Sequence, residues 1–176
     1  MPERQGLLDL ARTYLEVQAR LWPDLAGTPG VPAADAATIA AMADDFERRF
    51  RQQHAETFRP GGTPIVWIAL AVAYLRFSDE NSNPRSLDQQ LLNVLNRARR
   101  DGVFVPWQYV LADAAVSGTL ACRTGYMLTK TIVERRGEFG VTWFLIDDLS
   151  RLSRNTIESL RHGELAEATG VRVVGA

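Results

Sequence analysis

The densest chemistry in the sequence lies in Tyr74-Leu75-Arg76-Phe77-Ser78. On an extended backbone positions 74, 76 and 78 share a face, because side chains alternate along a strand. An arginine two residues from a serine suits nucleophilic attack on a phosphate. The guanidinium offers paired donors to phosphate oxygens and biases the serine toward its alkoxide. A polar strand terminus has the same composition, so this pentad alone leaves both readings open. A second cluster is Asp113-Ala114-Ala115-Val116-Ser117-Gly118-Thr119, with Arg123 close behind. Serine-glycine after a strand lets backbone amides and a hydroxyl approach an anion, although Ser-Gly is also a common turn. The third cluster is Ser150-Arg151-Leu152-Ser153-Arg154. Arg151 and Arg154, three apart, share one face of a helical first turn, where they add to a dipole that already favours anions. Cations at a helix start bring no structural benefit, which favours an anion-binding role over a solvated face.

Other reactive types are scarce. The two histidines, His54 and His162, leave little for a metal cluster, and Cys122 is the single cysteine, so no disulfide framework or cysteine zinc site exists. Cys122 beside Arg123 reads as a small buried filler rather than an activated thiol. Asp147-Asp148 is the nearest carboxylate pair; adjacent residues point apart on a strand, so solvated or arginine-paired acids are expected there rather than a cation site.

Positioning these clusters requires strands that end beside them. A stretch of proline and glycine, Arg59-Pro60-Gly61-Gly62-Thr63-Pro64, divides the chain into unlike halves. After it, strand and helix patterns alternate. Ile65 to Leu75 is a near-continuous apolar run, as in a strand buried on both faces. Ser86-Leu87-Asp88-Gln89 reads as a capping box opening a helix lined by Leu87, Leu91, Leu95 and Ala98 and ended by Gly102. Val103 to Ala112 reads as a second strand. Leu128, Ile132 and Val133 mark a second helix closed by Gly137 and Gly140, and Val141 to Ile146 a third strand. Asn155 and Glu158 cap a third helix with Ile157, Leu160 and Leu165 inward, and Val171 to Val174 forms a fourth strand. This alternation predicts an α/β fold, a mostly parallel sheet flanked by helices, with reactive groups beyond the carboxyl ends of the strands.

Before the junction, Leu7, Leu10, Tyr14, Val17 and Leu21 form one helical stripe and Ile39, Met42, Phe46 and Phe50 another. They predict a helical hairpin whose apolar faces must bury against something. His54 lies one turn beyond Phe50 and reads as a packing residue. No chemistry is assigned to this half.

Composition bounds the function. With 176 residues, 46% apolar and 23% charged, the chain is globular, and 20 basic against 21 acidic residues give a net charge of −1. That excludes reliance on a broad basic patch but not a grip on phosphate by a few placed arginines. Lys130 is the single lysine, so 19 of the 20 basic residues are arginine, which fits codon bias in a GC-rich genome. No run approaches a membrane span and the N-terminus has no signal-peptide order, so a soluble, cytoplasmic protein is expected.

The clusters together resemble the catalytic domain of the serine recombinases, the resolvase, invertase and large serine integrase family, over about residues 65 to 176. The family's tyrosine-x-arginine-x-serine motif stands as Tyr74, Arg76 and Ser78. Its serine-leucine-aspartate-x-glutamine helix start stands as Ser86-Leu87-Asp88-Gln89-Gln90. Its aspartate, serine-glycine and following arginine are Asp113, Ser117, Gly118 and Arg123, and its arginine pair is Arg151 and Arg154. Where family members often carry aspartate before that pair, this chain has Ser150.

The resemblance implies a resolvase-like fold preceded by the helical hairpin of residues 1–60. It also implies Ser78 as nucleophile toward a DNA phosphodiester, with Arg76, Arg123, Arg151 and Arg154 neutralising charge on the phosphate. Tyr74, Gln90, Asp113 and Ser117 would bind or support. Four guanidinium groups supply that charge, so neither metal nor cofactor is expected. DNA is the implied partner, with a homodimer or tetramer in the full-length protein and an origin in a bacterium, phage or mobile element. Members of the family continue into a long helix and a DNA-binding domain for which these residues leave no room, so a truncated domain is expected. A rival reading keeps the fold but makes it a catalytically silent interaction module. A third, an unrelated phosphate-binding α/β enzyme, finds no GxxxxGK[ST] loop and no GxGxxG.

Overall fold

The computed structural model describes residues 3–25, 32–52, 68–77, 86–114, 124–147 and 156–176. Two long helices, α1 (Arg4–Leu21) and α2 (Ala36–Arg51), precede the first strand, β1 (Ala69–Phe77). Then follow α3 (Leu87–Arg100), β2 (Val103–Phe104), β3 (Val110–Ala114), α4 (Thr124–Glu134), the single-turn α5 (Arg136–Phe139), β4 (Val141–Ile146), α6 (Thr156–Thr169) and β5 (Arg172–Gly175). The strands form one sheet in which every pairing is parallel. β1 lies at its centre, with β2 and β3 end to end along one side, and β4 then β5 on the other.

The alternation along β1 divides the core. Ala71, Ala73 and Leu75 face a cluster shared with α3 and both N-terminal helices. Leu70, Val72 and Tyr74 face a second cluster with Leu128, Ile132 and Val133 of α4 and Phe139 of α5. Both faces are therefore covered, as a parallel sheet of apolar strands requires. The stripe expected on α1 is the buried one: Leu7, Leu10, Tyr14 and Val17 are all buried, as are Ile39, Met42 and Phe46 of α2. The hairpin thus buries its apolar faces against α3 and the sheet, within the same hydrophobic cluster.

Several boundaries differ from the sequence reading. β1 starts at Ala69 and runs on through Arg76 and Phe77, while residues 65–67 and His54 lie outside the described residues. The run Val103 to Ala112 is two strands rather than one. Pro106 has no N–H to give a ladder, and the chain steps through a 3-10 turn at Trp107–Tyr109 before pairing resumes at Val110. Ser86 occupies the N-cap of α3 with extended backbone, but the capping box does not form, because the Ser86 side chain makes no cap bond. Gln89 instead donates to Asn93 at 3.3 Å. Gly137 lies inside α5, and Gly140, in the left-handed conformation at φ +68°, ends it alone. Asn155 is outside the described residues, and of the inward set expected on α6, Leu165 packs on the second cluster.

The break between β2 and β3 is held by the hairpin. Tyr14 Oη (2.7 Å) and Gln18 Nε2 (3.1 Å) both donate to the carbonyl of Val105. Arg49 donates to the carbonyls of Trp107 (3.2 Å), Gln108 (3.1 Å) and Val110 (3.4 Å), and its Nε bonds Asp45 at 2.9 Å. Its guanidinium also lies over the rings of Phe46 and Trp107. Burial pulls the Arg49 pKa down while Asp45 beside it pushes back, and burial raises that of Tyr14. These groups bring side-chain donors to carbonyls at the place where the ladder is broken.

Candidate active site

The carboxyl end of β1 brings together four of the residues expected to act. Arg76 stands in register with Asp113 of β3, and Tyr74 with Leu111 on one side and Ile146 on the other. Tyr74, almost fully buried, donates its hydroxyl to Asp113 Oδ2 at 2.9 Å. The same carboxylate accepts from the backbone N–H of Gly125 (2.7 Å) and of Tyr126 (2.8 Å). Those two amides open α4 and have no acceptor within their own helix, so a strand residue caps the helix and places its charge on the positive end of the helix dipole. The Tyr126 ring stacks edge-on against Tyr74 at 5.7 Å, closing the same corner. Asp113 therefore fixes where α4 begins, one residue after Arg123. Its carboxylate is buried and turned inward onto these three donors.

Gln90 is buried on α3, and its carboxamide pairs with the main chain of Arg76 at both ends. Nε2 donates to the Arg76 carbonyl at 2.6 Å, and the Arg76 N–H donates to Oε1 at 3.1 Å. The ladder between β1 and β4 has ended two residues earlier, at Tyr74 and Ile146. A side-chain amide carries the same donor and acceptor as a peptide, so Gln90 takes the place of the next residue of β4 and keeps β1 extended past its partner's end.

One turn along α3, Asn93 Nδ2 donates to Asp147 Oδ1 at 2.8 Å, and Asp147 follows β4 directly and is buried. Of the solvated or arginine-paired acid expected at 147, the solvated reading is corrected: the side chain is buried and turned inward under α3. Asp148 lies outside the described residues. Sequence reasoning did not single out Asn93. The available signal was a polar residue three positions after Gln90, on the flank of an otherwise apolar helix face.

Ser78, Ser117, Arg123, Arg151 and Arg154 lie outside the described residues, as does Cys122. The helix read from Asn155 and Glu158 runs from Thr156, and the helical turn expected for Arg151 and Arg154 lies outside the described residues. What the described residues define is the frame from which those segments leave: β1 through Phe77, β3 through Ala114, α4 from Thr124, and β4 with Asp147. Among the described residues no group of three or more histidine, cysteine or acidic side chains is placed to hold a metal ion. No described helix is long and apolar enough to cross a membrane.

The family model for the resolvase N-terminal domain matches residues 71–176, more than half of the chain. The chain belongs to the resolvase family. The match begins inside β1 and takes in each strand exit just described, and it makes the domain a serine recombinase domain, of the DNA recombinase class of enzymes. Among solved structures, the chain is similar to the C-terminal catalytic domain of ISC1926 TnpA, an IS607-like serine recombinase. The two are 27% identical over 60% of this chain and 68% of that one, with a TM-score of 0.47. No curated protein matches the chain. Membership of the resolvase family sets aside an unrelated phosphate-binding enzyme. The family match starts at residue 71, so the hairpin α1–α2 lies outside it while sharing its core.

Proposed function

We propose that residues 65–176 form the catalytic unit of a DNA strand-exchange reaction, braced by the helices before it, and that Ser78 is its nucleophile. The Ser78 oxygen attacks a backbone phosphorus. The new Ser78 O–P bond replaces the bond from phosphorus to the 3′ oxygen, which leaves as a hydroxyl, and the 5′ end stays on the protein as a phosphoserine ester. Attack by the 3′-hydroxyl of another strand reverses the step and restores Ser78. Two duplexes cut on both strands require four active sites, so the reaction calls for four copies of the chain around two DNA segments.

Transfer of this kind asks the protein chiefly for alignment and for neutralisation of charge on the phosphate. Arg76, Arg123, Arg151 and Arg154 supply that charge, while Tyr74, Asp113 and Gln90 hold the backbone from which they project. The observation that carries the reading is the Gln90 clamp: β1 is kept extended through Arg76, two residues before Ser78, at the edge where its neighbour has ended. Ser117 is proposed to contribute to phosphate binding through its hydroxyl.

A pool of nicked random-sequence duplexes tests the proposal, because a nick beside the attacked phosphate lets the cleaved end diffuse away and traps the ester. The wild-type chain is expected to yield a denaturation-resistant protein–DNA adduct that Ser78→Ala abolishes. An adduct that persists in Ser78→Ala overturns the nucleophile assignment. No adduct from either protein leaves the silent interaction module as the better account.

A further inference from the structure

The polar side chains of α3 do more than cover the sheet. Gln90 and Asn93 are three residues apart and so project from one face of the helix. Between them they reach both strand exits at the centre of the sheet: Gln90 the backbone at Arg76, Asn93 the carboxylate of Asp147. Beyond Tyr74 and Ile146 no backbone ladder joins β1 to β4, and past that point α3 bonds to both exits. We infer that α3 acts as a jig setting the relation between the exits of β1 and β4, and that Asn93 and Asp147 are positioning residues for the segment carrying Arg151 and Arg154. The inference rests on the proposed function, because it gives those arginines a phosphate to meet.

Packing alone does not explain the pair. Asp147 is 5% exposed, and a buried carboxylate is expensive to desolvate, so an apolar residue would serve stability better at that position. A directional bond from a rigid helix to the first residue after a strand instead fixes one geometry. Gln90 and Asn93 use the same chemistry, a primary amide on α3, against a backbone in one case and a carboxylate in the other. The nucleophile arm and the arginine arm are thereby referred to a single rigid body.

Three variants of the full chain test it: Asn93→Asp, Asp147→Asn and the two combined. Asn93→Asp sets two carboxylates against each other and is expected to slow single-turnover adduct formation about 100-fold, the scale of a misplacement near 1 Å. The exchanged pair restores a donor facing an acceptor, and its rate is expected to return to within about fivefold of Asp147→Asn alone, the mark of direct coupling. A merely structural role would instead lower all melting temperatures and leave the rate of the folded fraction unchanged. Should Asn93→Asp not fold, Asn93→Ser removes the donor and is expected to slow the rate about tenfold. A combined variant that folds yet stays as slow as Asn93→Asp overturns the inference, as does a single variant at position 93 that reacts at the wild-type rate. Amide hydrogen exchange over residues 141–147 separates this outcome from failure of the function. If the wild type forms no adduct, the jig still requires faster exchange at the end of β4 in Asn93→Asp and its return in the combined variant, and unchanged exchange overturns it.

Discussion

The break between β2 and β3 and the carboxyl rim of the sheet are both places where a ladder stops, and in both side chains take over the backbone's hydrogen bonds. At the break, Tyr14, Gln18 and Arg49 reach from the hairpin to four carbonyls between Val105 and Val110. At the rim, Gln90 and Asp113 satisfy Arg76 and the start of α4. The difference is in what lies beyond. The chain leaving the break returns at once to the sheet as β3, whereas the chains leaving the rim lead to Ser78, Arg123 and Arg151. On the proposed function the same physical device holds a fold in one region and aims a reaction in the other, and variants in the two regions should separate stability from rate.

The largest effect is expected at Asp113, where both consequences meet. Asp113→Ala leaves the Tyr74 hydroxyl and two amides of α4 without their acceptor, a loss of about 3 kcal/mol of stability from buried donors and a missing cap. Because α4 follows Arg123 directly, adduct formation in the folded protein should also fall by at least about tenfold. Chemical denaturation and single-turnover trapping check the two parts. A variant that loses stability but reacts at the wild-type rate would show that this part of the rim only braces the fold.

Arg49→Met probes the other side. The methionine keeps the stem over Phe46 and Trp107 but removes a charged donor from three carbonyls and leaves Asp45 with Arg48 alone of its two arginines. The Arg49 side chain is 16% exposed and that of Asp45 32%, so partial solvation softens the loss to about 2 kcal/mol. Below its melting range the variant should form adduct within about twofold of wild type, because a break remote from the rim does not aim the reacting groups. A rate that fell with the stability would erase the distinction between the two regions.

Much of this frame was legible beforehand because it rests on periodicity. The stripes of α1 and α2 and the apolar run Val141–Ile146 are read directly from spacing, and β4 has those very bounds. The motif residues Tyr74, Arg76, Gln90 and Asp113 were legible as types, but their roles were not. Asp113 reads only as a residue that binds or supports until the amides of Gly125 and Tyr126, twelve and thirteen residues away, are seen on it. Gln90 and Asn93 are legible only once the end of β4 is known, since their partners exist because a ladder stops there. Arg49 is one of several charges between the apolar positions of α2. Nothing local to the helix distinguishes it from Arg48, whose partner is Asp45 at the exposed surface. The split of Val103–Ala112 was written in Pro106, whose missing N–H outweighs the apolar character around it.

The smallest expected effect concerns the tyrosines that hold carbonyls away from the rim. Tyr109, buried in the second cluster, donates to the Phe139 carbonyl at 2.7 Å, and burial pushes its hydroxyl pKa up to about 12. In the unfolded chain a tyrosine ionises near pH 10. Between about pH 10 and 12 the unfolded chain therefore releases a proton that the folded protein keeps. This contribution to stability is fully present below the lower value and is lost as pH rises through the higher one. Tyr14 shifts in the same direction and adds to the slope. Tyr109→Phe should cost about 1 kcal/mol at neutral pH, one hydrogen bond's worth. It should also flatten the alkaline decline by one proton, about 1.4 kcal/mol per pH unit. Denaturant titrations at a series of pH values measure both. An unaltered slope would mean that Tyr109 ionises in the folded protein as it does in the unfolded chain, and that its bond to Phe139 does not hold α5 to the sheet.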